Sequence, residues 1–186
     1  MDAIQAIFSR RSISKVNPHP EPRALVEQIL AAAVQAPNHF RVRPWRFFVM
    51  TGAARERLGE VMAQSLRRRV PDSTAGELQK ERSRPLRAPV VIAVAVDPPS
   101  QPKVIEIENI GAVAAAIENM LIAATALGLG AMWRTGKATH NPDVKAFFGL
   151  PPEQHLLGFI YIGYPGDNPD PLPREGFEDR TVWMDE

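Results

Sequence analysis

Two arginines and a serine, Arg10-Arg11-Ser12, follow the first predicted helix and have the chemistry of an anion site. A guanidinium binds a phosphate through parallel, charge-assisted hydrogen bonds and does not lose its proton, and a serine hydroxyl adds another donor. Arginine at a helix C-terminus also caps free carbonyls and complements the helix dipole, which is the commoner role for an isolated pair. The motif alone therefore leaves a phosphate site and a helix cap both open.

Other short motifs lack residues that nucleotide-binding or metal-binding sites require. Gly128-x-Gly130 lacks the third glycine of a dinucleotide fingerprint, and it follows a predicted helix where a strand should precede it. Gly136-Lys137 resembles the end of a phosphate-binding loop, but Ala138 replaces the required Ser or Thr. The four histidines have no metal-ligand spacing and cysteine is absent, so we predict no metal site. Arginines without catalytic side chains indicate that a bound cofactor supplies the chemistry.

Composition limits the class of protein. The 186 residues, 45% of them hydrophobic, suit one domain spanning 1–186. The net charge of +1 provides no field for nucleic acid or membranes, and Arg67-Arg68-Arg69 is interpreted as a solvated helix end, with nucleic-acid binding a remote alternative. The apolar region from Ile110 to Trp133 is interrupted by Glu118-Asn119, so we expect no membrane span. Without cysteine or a signal peptide, we predict a soluble, cytoplasmic protein.

Hydrophobic periodicity and breaker residues predict the elements that position these residues. In chain order they are a short helix ending at the arginine pair, a helix from near Pro22 to Pro37, a strand from Arg46 to Met50, a helix from about Ala53 to Arg69, a strand from Pro89 to Val96, a helix from about Val104 to Leu127, a short strand between Gly128 and Gly136, a helix from Asn141 to Gly149 and a strand from His155 to Tyr164. Pro71 to Arg87 is polar and without periodicity, which is typical of a mobile connection or lid. The tail from Pro165 should run extended over a surface or a partner.

Two of these elements suggest the overall architecture. The unbroken apolar run from Val90 to Val96 predicts a central strand covered on both faces. From Ile110 onward the long helix has small or apolar residues on nearly every side, so its own domain or a second subunit must surround it. We therefore predict a homodimer. Helices alternating with three or four strands predict an α+β or α/β fold with a small sheet inside a helical shell.

The order and spacing of several short motifs carry a more specific signal. They are Arg10-Arg11-Ser12, Ala36-Pro37-Asn38-His39 followed by Pro44-Trp45-Arg46-Phe47-Phe48-Val49, Arg87-Ala88-Pro89, the small-residue helix leading into Gly128, Trp133-Arg134-Thr135-Gly136, and Gly158-Phe159-Ile160-Tyr161-Ile162-Gly163. Together they resemble the FMN-dependent nitroreductase-like flavoproteins, in particular their short, minimal branch. The resemblance implies an α+β nitroreductase-like fold with a small mixed sheet surrounded by helices, in an intertwined homodimer with FMN at the subunit interface.

The resemblance also implies which residues bind the cofactor. One subunit would supply Arg10, Arg11 and Ser12 together with Trp133, Arg134 and Thr135, and the three arginines would share the phosphate. The other subunit would supply Gln35 and His39, where this branch often carries a basic residue in place of Gln35. The segment proposed to meet the nicotinamide nucleotide comprises Ala123, Ala124, Thr125, Ala126, Leu127 and Gly128, although small residues there also suit close helix packing.

The activity that the resemblance implies is a ping-pong reduction without a catalytic side chain. NADH or NADPH would give a hydride to flavin N5 and leave, and a nitroaromatic or quinone-like acceptor would then be reduced. The alternative from another class is a non-catalytic FMN-binding or flavin-handling protein that uses the same site for storage, sensing or delivery. The sequence does not choose between these two functions.

Overall fold

Six α-helices and four strands account for most of residues 1–19, 22–166 and 174–184, the parts of the chain that the computed structural model describes. The elements are α1 (Ala3–Ser9), α2 (Arg23–Ala33), β1 (Trp45–Met50), α3 (Ala53–Arg69), α4 (Ala75–Ser83), β2 (Val90–Val96), α5 (Glu106–Ala126), β3 (Gly130–Arg134), α6 (Pro142–Phe147) and β4 (Leu156–Gly163), with short 3₁₀ turns at His39–Arg41, Arg84–Arg87 and Glu178–Arg180. The predicted strands and long helices are confirmed to within a few residues.

The four strands form one sheet in the order β1-β2-β4-β3. Every residue of β2 is buried, which confirms the predicted central strand. All neighbouring strands in the described part of the chain pair antiparallel, because β4 inserts between β2 and β3 and runs opposite to both. The expected mixed sheet is therefore wrong for these four strands within one chain. A single parallel bridge, between Ser12 and Ala131, lies outside the named strands.

The two faces of the sheet support two separate hydrophobic clusters. Because side chains alternate along a strand, Ile92 and Ile160 point to the cluster that contains α2 and α5. Ala93 and Phe159 point to the opposite cluster, which contains α3 and α6. Below, these are the α5 face and the α3 face of the sheet. Consecutive side chains of a strand therefore point to opposite faces, one to the α5 face and the next to the α3 face.

The long helix α5 is covered by its own chain on one side only. Its buried side packs against α2 and the sheet through Val113, Ile117 and Met120. The opposite side carries a stripe of small or apolar residues that are exposed or half-buried, namely Ile107, Gly111, Ala114, Ala115 and Ile122. With 21 residues, of which an 18-residue window has a mean hydropathy of 1.4, α5 also has the length and composition of a membrane span, as core helices often do. The helix was predicted to be surrounded on all sides, and a single chain covers only one of them.

The segment from Pro71 to Arg87 is a helix and a 3₁₀ turn rather than the expected mobile connection or lid. Thr74 and Glu77 form a reciprocal capping box at the start of α4, and the hydrogen bonds from Thr74 lower the pKa of Glu77. At Gly59 of α3 a Cβ would overlap the carbonyl of Arg82, so glycine allows the two helices to approach closely. Leu78 is the single buried residue of α4, which explains the missing hydrophobic period.

Candidate functional site

The predicted anion motif begins where α1 ends. Asp2 caps the N-terminus of α1 in a capping box with Gln5, and Arg10 is the C-cap residue. The Nε of Arg10 lies 3.1 Å from Oε1 of Glu118 on α5. Arg11 donates from Nη1 to the carbonyls of Phe8 and Arg10, at 2.8 Å each, as a helix cap does. Its Nε is buried and has no hydrogen-bond partner among the described residues.

The residues after this motif run beside the edge strand β3. Ser12 forms a parallel bridge with Ala131, and the amide of Ile13 donates to the carbonyl of Ala131 at 3.0 Å. A Cβ at Gly130 would crowd the side chain of Ile13, so glycine permits this close approach. The tertiary structure therefore joins two motifs that lie about 120 positions apart in the chain.

Trp133 lies two residues further along β3 and faces the same side of the sheet as Ala131. Its indole Nε1 donates to the carbonyl of Leu157 at 3.2 Å, over Gly158. The backbone groups of Ala131 point toward Ile13, and strand geometry repeats every two residues, so those of Trp133 point to the same outer edge. No strand in the described part of the chain pairs with that edge. Trp133 thus offers an unpaired N–H and C=O beside the Arg10-Arg11-Ser12 segment.

Arg134 points to the α3 face of the sheet. Its guanidinium carbon lies 5.4 Å from the ring centre of Tyr161. Burial raises the pKa of Tyr161, and the charges of Arg134, Arg87 and Arg84 partly oppose this rise. Arg134 lines a cavity of about 470 Å³ with Thr135, whereas Arg11 lines another of about 580 Å³. Arg11 and Arg134, two of the three arginines predicted to share one phosphate, therefore line separate cavities of one chain, and Arg10 lines neither of them.

The cavity at Arg11 also includes part of the segment predicted to meet the nicotinamide nucleotide. Thr125 and Gly128 line it, and Thr125 Oγ1 donates to the carbonyl of Leu121 at 3.0 Å. Ala124 is fully buried in the core. The rest of this segment, Ala123, Ala126 and Leu127, is absent from the cavity lining. Two of the six predicted residues thus have access to a cavity.

Gln35 and His39 lie near the other end of the α5 face. Gln35 is exposed just after α2, with Nε2 donating to the carbonyl of Ala31 at 3.3 Å. His39 Nδ1 lies 2.6 Å from Oε2 of Glu108, beside a shallow cavity of about 340 Å³ at the exposed stripe of α5. Within the described part of the chain, these side chains contact Ala31, Glu108 and Phe40 rather than Arg10-Arg11-Ser12 or Trp133-Arg134-Thr135.

Sequence reasoning missed several partners of the predicted residues. Glu108 pairs with His39 and Glu118 pairs with Arg10, and the sequence indicated neither pair. Arg174, in the tail, donates from Nη2 to the carbonyl of Arg10 at 3.1 Å and brings a third guanidinium to this end of the site. No local pattern marks these residues, because their partners lie tens of positions away in the chain.

Comparisons with known proteins cover nearly the whole chain. The model of the nitroreductase family matches residues 7–164. A protein of Escherichia coli strain K12 named "Putative NAD(P)H nitroreductase YdjA" is 35% identical over 181 residues, which is 93% of this chain and 97% of that protein.

Two solved structures are also similar. A nitroreductase-like family protein from Bacillus cereus superposes with a TM-score of 0.85 at 25% identity, covering 100% of this chain and 97% of that one. A Desulfovibrio desulfuricans protein described as a "putative nitroreductase in complex with fmn" superposes with a TM-score of 0.76 at 25% identity, covering 99% and 97%. The expected α+β fold is confirmed.

Proposed function

Because the chain belongs to the nitroreductase family, we propose that it is an FMN-dependent oxidoreductase that uses NADH or NADPH to reduce nitroaromatic or quinone-like acceptors. The observation that carries this proposal is the pairing of Ser12 with Ala131, which sets an anion-binding segment beside the unpaired backbone edge at Trp133. The names of the E. coli relative and the D. desulfuricans structure support NAD(P)H and FMN respectively.

The dimensions of this edge suit FMN. Ser12 lies opposite Ala131, and Arg134 follows three residues later, about 10 Å along the strand. A ribityl chain with its phosphate ester can span such a length. The phosphate would lie at Arg10, Arg11 and Ser12, where the buried Nε of Arg11 still lacks an acceptor. The flavin ring would lie beside Trp133-Arg134-Thr135.

The side chains of this protein would bind and orient FMN and would not themselves react. When bound, FMN supplies the redox chemistry, taking a hydride from the nicotinamide and passing it to the acceptor. Reduction of a nitro group to a nitroso group consumes one hydride and one proton and releases one water. The guanidiniums of Arg10, Arg11 and Arg174 would neutralise the phosphate. The N–H of Trp133 would provide a fixed hydrogen-bond donor at the strand edge, and the charge of Arg134 would favour an electron-rich ring.

A homodimer would complete this site. Apart from Glu118, the exposed stripe of α5 is small or apolar over several turns, and Phe177 and Trp183 of the tail are also exposed. A second copy of the chain would cover both surfaces and would supply Gln35 and His39 to the flavin. Thr125 and Gly128, at the cavity beside Arg11, would face the nicotinamide nucleotide. We place this dimer in the cytoplasm, with neither nucleic acid nor a membrane as its partner.

Absorbance spectroscopy of the purified protein tests the proposal. After incubation with FMN and gel filtration the protein should be yellow, with FMN and chain in equal numbers. Anaerobic addition of NADH or NADPH should bleach the flavin, and a nitroaromatic should restore the colour. A protein that binds no FMN contradicts the proposal. A yellow protein that neither nucleotide bleaches supports the flavin-handling alternative instead.

A further inference from the structure

A cavity on the α3 face of the sheet carries a concentration of positive charge. It encloses about 470 Å³ and lies between α3, α4, the turn Arg84–Arg87 and the strands β3 and β4. The side chains lining it include four cations and no carboxylate: Lys80, Arg84, Arg87 and Arg134. We refer to it as the basic cavity. Because the whole chain has a net charge of only +1, this concentration is local.

Neighbouring acids neutralise only part of this charge. Arg84 pairs with Glu81 at 2.8 Å, and the charge of Lys80 helps to lower the pKa of Glu77. Within the described ranges, no carboxylate lies within ion-pair distance of Lys80, Arg87 or Arg134. The adjoining cavity, which shares Arg84, adds two further cations at Arg69 and Lys137, with Glu81 as its sole acid. A group of converging cations that outnumbers its neighbouring acids favours an anionic ligand.

The other walls of the basic cavity are apolar or aromatic. Phe159, Met132 and Met62 contribute to its lining, and Arg134 lies over the ring of Tyr161. Its volume is in the range of pockets that hold small organic ligands. An aromatic ring with an anionic substituent satisfies both parts of this surface, since the ring packs on the apolar wall and the anion meets the guanidiniums.

The basic cavity shares Trp133-Arg134-Thr135 with the proposed flavin site. We propose that it binds the anionic group of the electron acceptor, so that the enzyme prefers aromatic nitro or quinone compounds that carry a carboxylate or similar anion. This inference rests on the proposed function and assigns a substrate class to that site. Lys80 and Arg87 would select the substrate without taking part in electron transfer.

The test compares two acceptors of similar shape and different charge, para-nitrobenzoate and the neutral para-nitrobenzamide. The wild-type protein loaded with FMN should have the higher kcat/KM for the benzoate. The double variant Lys80→Gln, Arg87→Gln should lose this preference by about fivefold per charge removed, with kcat/KM for the benzamide unchanged. Raising the ionic strength should lower the wild-type preference in the same direction.

Arg67→Gln is the matched control. Arg67 is exposed in the last turn of α3 and does not line the basic cavity, so its loss changes net charge alone. A wild-type protein with equal kcat/KM for both acceptors overturns the inference, as does a double variant that slows both equally. A double variant that instead slows flavin bleaching by NADPH would assign the cations to the reductant and would also overturn it.

The failure of the proposed function is distinguishable from these results. If the protein binds no FMN, or if neither acceptor reoxidises a bleached flavin, the proposed function itself has failed. If para-nitrobenzamide is reduced but no charge preference exists, the inference alone has failed. The affinity for FMN, measured on each variant by quenching of flavin fluorescence, should remain within about twofold of wild type, because neither residue would hold the cofactor.

Discussion

The Nε of Arg10 lies 3.1 Å from the carboxylate of Glu118, which extends from the exposed side of α5. The side chain of Arg10 is 17% exposed and that of Glu118 is 46% exposed, so this pair lies at a surface that a ligand can reach. A guanidinium has five donors and can hold a carboxylate and a phosphate together. The carboxylate nevertheless repels a phosphate dianion. Glu118 should therefore orient Arg10 while lowering its affinity for phosphate.

Replacement of Glu118 by glutamine should tighten FMN binding. Glu118→Gln removes the like charge while keeping a side chain of the same size, and we expect about fivefold higher affinity at low ionic strength. Flavin fluorescence quenching measures the dissociation constant. Glu27→Gln, which removes a carboxylate from the exposed pair with Arg23, is the control and should change nothing. Weaker binding by Glu118→Gln would mean that orientation of Arg10 outweighs repulsion.

The double variant Arg10→Ala, Arg11→Ala should release the flavin. Hydrogen bonds to charged groups contribute about 1.5–3 kcal/mol each, so losing both side chains should weaken FMN binding by at least a hundredfold. Circular dichroism should show the fold retained, since Arg11 contributes a cap to a short terminal helix. Arg23→Ala serves as a control. If the double variant stays yellow with unchanged affinity, the arginines are helix caps alone.

Gly158→Ala should disturb Trp133. An added Cβ would overlap the indole nitrogen of Trp133, which donates to the carbonyl of Leu157. Overpacking of this kind costs about 1–3 kcal/mol, and we expect a lower midpoint in urea together with weaker FMN binding. Gly76→Ala is the matched control. A Cβ at Gly76 of α4 would have Thr74 Oγ1, 3.9 Å away, as its nearest neighbour. This substitution should therefore leave FMN binding unchanged.

A charge on the exposed stripe of α5 should separate the proposed dimer. A Cβ at Gly111 meets nothing within 4 Å in one chain, so Gly111→Glu should fold as well as wild type. In a dimer the same carboxylate would be buried without a partner, which is strongly unfavourable. Light scattering after gel filtration should give the mass of one chain, and bound flavin should be lost. Gly76→Glu is the control for the added charge, and a variant that remains dimeric contradicts this interface.

The stability of the contact between α3 and α6 should depend on pH through Asp143. Hydrogen bonds from Ser65 and then from Arg68, whose Nη2 lies 2.7 Å from Oδ2, hold the pKa of Asp143 below its ordinary value of 3.8. A lowered folded-state pKa means that the stabilisation is present above the unfolded-state pKa and is lost as pH falls through the folded-state pKa. The side chain is 36% exposed, so its contribution should be about 1 kcal/mol or less.

Asp143→Asn measures this contribution. At pH 7 the variant should unfold at lower urea concentration than wild type, and the difference should shrink below about pH 4 as the carboxylate of wild type is protonated. Asp72→Asn, at an exposed position between α3 and α4, should show no comparable difference. A constant difference between wild type and Asp143→Asn from pH 7 to pH 3 would mean that the charge of Asp143 is not its source.

Local signals in the chain were sufficient for most of the fold. The run from Val90 to Val96 predicted a buried central strand, because apolar side chains on both faces need cover on both sides. Asn141 caps α6 through the amides of Asp143 and Val144, and Gly149 follows its end with a φ of +68°, so both ends lie within the helix predicted from Asn141 to Gly149. The helix α4 was missed because it lies on the surface and is held by a capping box rather than by a hydrophobic stripe.

The sequence by itself determined most of the elements and the residue types of an anion site, because helix caps, strand runs and guanidinium chemistry depend on neighbours in the chain. Only the tertiary structure decided which distant residues meet. It paired Arg10 with Glu118 and Ser12 with Ala131, and strand alternation directed Trp133 and Arg134 to opposite faces of the sheet. Those relationships depend on strand order and register, which arise from packing of the whole core and leave no local trace in the sequence.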